Sequence, residues 1–202
     1  MDRREFVITT GLGLTGLAAG CVPKPPETKE STAPAESRVE TQAPDCAATA
    51  RDIEGPYYRE GVPVRSELDL YEEEGDKLVL SGTVTGTDCE PIENAVVEIW
   101  HANTDGAYDT TTEEKRYYGQ TATDATGAYS FSTLIPGRYL NGGTYRPAHV
   151  HIKVHVGGVE KLTSQIYFAG DPYNEGDGWY DPAREVAVAE DGSATFDVTV
   201  AA

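Results

Sequence analysis

The stretch TYRPAHVHIKV (144–154) sets two imidazoles, His149 and His151, one residue apart just after an Arg-Pro pair. In an extended strand, side chains at i and i+2 share a face with Cα atoms about 6.7 Å apart, so both rings can converge on one ion. Lys153 and His155 continue that face, while Val150, Ile152, Val154 and Val156 form the other. His155 stands about 20 Å along an extended strand from His149, too far to join the same site. Taken alone the pair has two readings. It ligates a metal, or it is ordinary polar surface on the outer side of a strand.

Such histidines need a strand to hold them, and from about residue 47 onward no stretch carries a convincing helical period. Short alternating or apolar runs appear at 77–84, 95–102, 128–134, 148–156, 164–168, 184–189 and 194–200. TGTDCEP, DATG, PG, VGG and EDG punctuate them as turns. The expected architecture is all-β, an antiparallel β-sandwich with long loops forming the site. This region is large enough for a real core. The same pattern suits a non-catalytic exported module that binds glycans or another surface protein, which is the plainer alternative to any enzyme.

The chain carries 34 acidic against 16 basic residues, a formal charge of -18. That surface repels phosphate backbones, so no nucleic-acid partner is expected. Residues 1–20 read as an export signal. Arg3 and Arg4 precede Phe6, and a weakly apolar stretch from Val7 to Gly20 is too short to span a bilayer. The arginines suit the twin-arginine route or plain n-region charge. LAAGC resembles a lipoprotein box with Cys21 as its lipidation site, although Leu17 sits one place too far from the cysteine; simple secretory cleavage is the alternative. Residues 21–45, rich in Pro, Ser, Thr and Glu, read as a disordered spacer, leaving 46–202 as the folded domain. The expected location is exported, either tethered to a membrane on the outer surface or in the periplasm, or secreted. In that setting the isolated pair Cys46 and Cys89 is expected to be bridged, pinning the domain's first segment onto its sheet.

Four ordered motifs add a resemblance. VEIWHANTDGAYD (97–109), LIPGRYL (134–140), YRPAHVHI (145–152) and TSQIYFAGDPY (163–173) together are similar to the intradiol ring-cleaving dioxygenases, the catechol and protocatechuate family. The likeness starts at EGPYYREG (54–61), which resembles the family's substrate-side segment, and covers nearly the whole folded part. It implies a non-haem Fe(III) ion held by Tyr108, Tyr139, His149 and His151. Phenolate is a hard donor suited to a hard trivalent ion, which must draw off a proton whose free pKa is about 10. Two phenolates plus a hydroxide would neutralise the three positive charges. The resemblance further implies that a catechol-type substrate reacts with O2 and opens between its hydroxylated carbons to a muconate-type dicarboxylate. Tyr139 would be the ligand that gives way and acts as internal base. Arg146 would stabilise charge developing on the ring, or else form a structural ion pair. Gln165 matches a pocket glutamine near substrate.

Tyr57 and Tyr58 either line the mouth of the pocket or simply pack. Trp100 and Phe131 read as core, His101 matches a position that is not a ligand, and His155 reads as solvated. The acidic clusters EEE (72–74) and DPYNEGD (171–177) also read as solvated surface. A cupin-like metal site, the second enzyme reading, wants a glutamate a few residues after the histidines, where only Glu160 follows. Departures from the family are the lack of a helical dimerisation extension and a short stretch between Tyr108 and Tyr139. Assembly is therefore open, a homo-oligomer included. A carboxylated substrate would need a cation near the ring, for which Arg116 and Arg138 are the candidates.

Overall fold

The computed structural model describes residues 46–68 and 71–201. The export signal, Cys21 and the spacer lie outside the described residues. One sheet is centred on β1 (Lys77–Gly86), whose Leu78, Leu80 and Val84 point inward at every second position. It pairs antiparallel with β4 (Ala128–Leu134) and parallel with β10 (Ser193–Thr195) and β11 (Val198–Val200). The second sheet follows the order β3 (Tyr118–Ala122), β2 (Val96–Trp100), β7 (His149–Val156), β8 (Val159–Phe168) and β9 (Glu185–Val186). A separate ribbon joins β5 (Tyr139–Asn141) to β6 (Thr144–Arg146).

The two large sheets form a sandwich. Leu80, Phe131 and Val198 from the first and Val97, Ile99, Ile152 and Ile166 from the second share one buried cluster. Removing each such side chain from water contributes about 1.5–3 kcal/mol, which makes this face the main source of stability. Among the described residues no helix is long and apolar enough to cross a membrane.

The sandwich is mixed rather than purely antiparallel, because β1–β10, β1–β11 and β8–β9 run parallel. The expected strand at 184–189 shrinks to Glu185–Val186. That at 194–200 breaks at Phe196 and Asp197. There the Phe196 carbonyl turns to accept the Tyr129 hydroxyl at 2.5 Å, and the Asp197 carboxylate accepts from Thr83 N at 2.8 Å. Gly82 permits this, since a Cβ would collide with the Phe196 carbonyl. β3, β5 and β6 were not expected. The β5–β6 turn runs through Asn141, Gly142 and Gly143, with φ of +59° and +102° at the glycines, a hairpin signal attached to strands of only three residues.

Residues 46–58 cross the outer side of the second sheet. Cys46 and Cys89 form a disulfide (S–S 2.07 Å) across 43 residues. Thr49 N donates to the Thr199 carbonyl, Asp52 N to that of Thr163, and the Ser164 hydroxyl to that of Ala50. The side of β7 that alternation assigns to the exterior is thereby roofed. His149, His151 and Lys153 are each no more than 3% exposed.

Candidate metal centre

Sheet register brings most of the site together. Trp100 on β2 lies opposite His151 on β7, which lies opposite Gln165 on β8. His149 faces Tyr167 in the same way, and Tyr139 is the register partner of Arg146 in the ribbon. Tyr108 comes from the loop between β2 and β3. Asn103 shapes that loop by accepting from Ala107 N on its side chain (2.7 Å) and from Gly106 N and Gly137 N on its carbonyl. Gly106 has φ +82° and sits so close to the Arg138 carbonyl that a Cβ has no room. The loop is thus docked onto the segment leading into Tyr139.

The four residues named by the resemblance meet. The Tyr108 hydroxyl lies 3.2 Å from His149 Nε2. Ring centroids are 5.7 Å apart for Tyr108 and Tyr139, 5.7 Å for Tyr139 and His149, 5.0 Å for His149 and His151, and 6.1 Å for Tyr108 and His151. The His149 tautomer follows from its partners. Its Nδ1 is 2.7 Å from the Pro147 carbonyl, which can only accept, so Nδ1 carries the proton and Nε2 presents a lone pair to the site. His151 is stacked on the Trp100 indole (4.7 Å, 7°), and its Nδ1 is buried with no hydrogen-bond partner.

The electrostatics favour neutral ligands. Burial, reinforced by Arg146, depresses His149 to a pKa of about 3. Burial and then His149 push His151 well below the usual histidine range. Burial raises the Tyr108 phenol far above its ordinary value, with Tyr139 adding to the rise. Burial also raises Tyr139, but here Arg146 opposes it. A pocket that buries two neutral imidazoles beside two phenols leaves lone pairs aimed inward and protons that only a strong cation can draw off. The donor set fits a hard trivalent ion. Among the described residues no three His, Cys, Asp or Glu side chains cluster to offer a different metal site.

Arg146 forms the structural ion pair that was one of its two readings. Its Nε donates to Asp177 at 2.7 Å in a buried ion pair, while one terminal nitrogen donates to Gln165 Oε1 (3.0 Å) and the Tyr167 hydroxyl (3.2 Å). It is held in place and still faces Tyr139. Gln165 completes the brace by donating to the Ile53 carbonyl. Tyr57 stacks on Tyr108 (4.3 Å, 15°) and meets Tyr139 edge-on (6.0 Å). Tyr58 packs elsewhere, against Trp100, with its hydroxyl donated to Glu98. Ile53, Gly55, Tyr57, Tyr139, Arg146 and His151 line a cavity of about 70 Å³ at the centre. A larger cleft, about 630 Å³, runs past Arg138 and Tyr173 and touches none of the four.

Several readings need correction. His155 is only partly solvated: its side chain is 24% exposed, but Nε2 is enclosed 3.5 Å from Glu98. Glu73, in EEE, accepts the Tyr117 hydroxyl, and Asp171 and Asp177 pair with Arg138 and Arg146. Three of these acids are therefore engaged in the fold, while Glu72, Glu74 and Glu175 are exposed as expected. Glu160, which a cupin-like reading needs beside the histidines, pairs with Arg51 and Lys153 instead. Arg138 pairs with Asp171 and Arg116 with Glu114, and neither lines the central cavity where a carboxylated ring would need a cation. His101 is buried with both nitrogens engaged by Ala102 and Thr133, which leaves it no lone pair for an ion. Phe131 lies in the core, and Trp100 shares a smaller buried cluster with Val62 and Tyr118. The braces Asp177 and Tyr167 were missed; Tyr167 stands in a motif already singled out, but no local signal joins Asp177 to Arg146.

A family profile described as Dioxygenase matches residues 53–195, and the chain belongs to this intradiol ring-cleavage dioxygenase family. Among curated proteins it is 39% identical over 145 residues to catechol 1,2-dioxygenase 2 of Acinetobacter lwoffii, covering 62% of this chain and 53% of that protein. It is 34% identical to a chlorocatechol 1,2-dioxygenase of Pseudomonas putida, covering 69% of this chain and 61% of the other. The chain spans little more than half the length of these relatives. Among solved structures it superposes on the dioxygenase domain of a dioxygenase–carbohydrate-binding fusion from Streptomyces sp. SirexAA-E. That match has TM-score 0.69 and 35% identity, covering 77% of this chain and 99% of the other. Acinetobacter radioresistens catechol 1,2-dioxygenase gives TM-score 0.69 at 29% identity, covering 79% and 64%.

Proposed function

We propose that this chain is an Fe(III)-dependent intradiol dioxygenase that opens a catechol-type ring between its two hydroxylated carbons, both atoms of O2 entering a muconate-type dicarboxylate. The observation that carries the reading is the meeting of Tyr108, Tyr139, His149 and His151 in one buried pocket, with Tyr108 Oη 3.2 Å from His149 Nε2. The catechol and chlorocatechol 1,2-dioxygenase relatives support the substrate class. When bound, the ferric ion supplies Lewis acidity and a template for the catechol oxygens.

The protein's own residues divide the remaining work. His149 and His151 stay neutral because burial opposes their protonation, and Pro147 and Trp100 fix the two ring planes. Tyr108 is clamped beneath Tyr57 and has no cation as direct partner, so it is the fixed phenol. Tyr139 sits on a three-strand-residue ribbon next to Arg146, which favours its deprotonated form, and it receives the proton of a substrate hydroxyl. Arg146, locked by Asp177, Gln165 and Tyr167, presents fixed positive charge to the ring and needs no reorganisation as negative charge develops there. Tyr57, Ile53 and Gly55 keep bulk water from the pocket.

The same proposal includes export, supported by the arginine pair, the Cys46–Cys89 bridge and the lipoprotein-like Cys21, which would tether the protein if acylated. Tyr108→Phe tests the centre. The purified protein should hold iron and show a visible phenolate-to-metal colour. The variant should bleach or shift it and lose about a thousandfold or more in oxygen uptake on catechol, the scale of several kcal/mol of Lewis-acid stabilisation. A colourless, iron-free protein, or a variant with unchanged turnover, would overturn the reading.

A further inference from the structure

The small central cavity does not end at the metal centre. Asn141, Arg146 and Trp179 line it and also line a second, outer cleft of about 210 Å³ that continues over Thr144, Tyr145 and Gly178. Trp179 is at the joint. The residue is 40% exposed, yet its placement is not loose. Trp179 N donates to Asp177 Oδ1 at 2.9 Å, its carbonyl accepts from Arg184 at 2.6 Å, and its indole lies over the Arg146 guanidinium at 4.7 Å. An exposed indole that rests on a locked guanidinium, on a backbone tied down at both N–H and carbonyl, is a stacking surface beside the pocket. Further out, Tyr145 is 46% exposed and rests on Tyr173 (5.2 Å), adding a second aromatic wall.

Charge narrows what fits there. The one guanidinium reaching both cavities, that of Arg146, is already committed to Asp177, Gln165 and Tyr167, and Arg184 is likewise paired with Asp52. Arg138, beyond Tyr145, is held by Asp171. The outer cleft therefore offers flat apolar surface and the neutral polar groups of Asn141, Thr144 and Tyr145, and no uncommitted cation for a carboxylate. A net charge of -18 works against anionic guests as well.

We propose that Trp179 and the cleft beyond it form a substituent subsite, so that the preferred substrate is a catechol bearing a neutral aryl or aryl-alkyl group rather than bare or carboxylated catechol. The proposal rests on the ring-cleaving function given above and specifies its substrate class. With the dihydroxylated ring at the four-residue centre, a substituent para to one hydroxyl passes Asn141 and stacks on the indole. Arg146 then faces the reacting ring on one side and supports the specificity platform on the other.

The test compares catechol, 4-phenylcatechol and 3,4-dihydroxybenzoate by oxygen uptake, and the first two by anaerobic calorimetric titration of the iron-loaded protein. Wild type should turn over and bind 4-phenylcatechol better than catechol, with 3,4-dihydroxybenzoate the poorest of the three. Trp179→Ala should lower kcat/KM and affinity for 4-phenylcatechol about tenfold more than for catechol, and Trp179→Phe should keep most of the preference. A catechol to 4-phenylcatechol ratio unmoved by Trp179→Ala, or a wild type that favours the benzoate, overturns the subsite. A protein that binds 4-phenylcatechol through Trp179 but cleaves no catechol overturns the ring-cleaving function alone.

Discussion

The two faces of β7 are equally buried and chemically opposite. Val150, Ile152 and Val154 enter the sandwich core, where any apolar side chain of suitable volume finds partners. His149, His151 and Lys153 enter a second interior beneath residues 46–58, where every polar atom needs a particular partner. Lys153 has one in Glu54 (2.5 Å), with Glu160 at 3.6 Å and the Tyr58 ring at 3.5 Å. His149 has the Pro147 carbonyl on one side and the Tyr108 hydroxyl on the other, and His151 Nδ1 has no partner. One face holds the protein together, and the other leaves ring nitrogens and phenols turned toward a common pocket.

The sharpest way to separate the faces is to damage the apolar one. Ile152→Ala should lower stability to urea by about 2–5 kcal/mol, as cavity-forming changes do, while the folded fraction keeps its full iron content. Loss of iron in parallel would mean the faces are not independent. Acid probes the polar face. His149 has a pKa depressed to about 3 in the folded protein against about 6.5 unfolded, so its contribution is fully present above pH 6.5 and is lost as pH falls toward 3. Metal-free protein should lose up to a few kcal/mol across that window from this residue, and His149→Gln should flatten that part of the profile while Ile152→Ala leaves its slope unchanged. The smallest effect concerns the roof. Glu54→Gln leaves Lys153 with Glu160 and Tyr58, so about 1 kcal/mol should be lost, read as faster proteolysis around residues 52–58 with little change in urea midpoint. Cleavage no faster than in wild type would make the Lys153–Glu54 contact incidental.

How much of this was legible follows the range of each interaction. Alternation in β7 and β1 gave their inward faces, because period two depends on adjacent residues alone. The four candidate ligands were readable only as ordered motifs of a family, since nothing local in GAYD or GRYL points a phenol at a histidine. That the outer face of β7 is roofed was not legible locally, because the cover of Lys153 lies about a hundred residues earlier in the chain, at Glu54. The acidic cluster at 171–177 was misread for the same reason. Asp177 looks like surface until Arg146, 31 residues away, is folded against it.

The Cys46–Cys89 bridge fastens one end of the roof to the sandwich, ahead of Asp52, Ile53 and Tyr57. Severing that thread by reduction leaves β1 and β7 with all their ladder bonds, yet frees the margin of the segment that shuts the polar interior. A reductant would therefore be felt first as a wetter, leakier polar interior and only afterwards as a weaker fold.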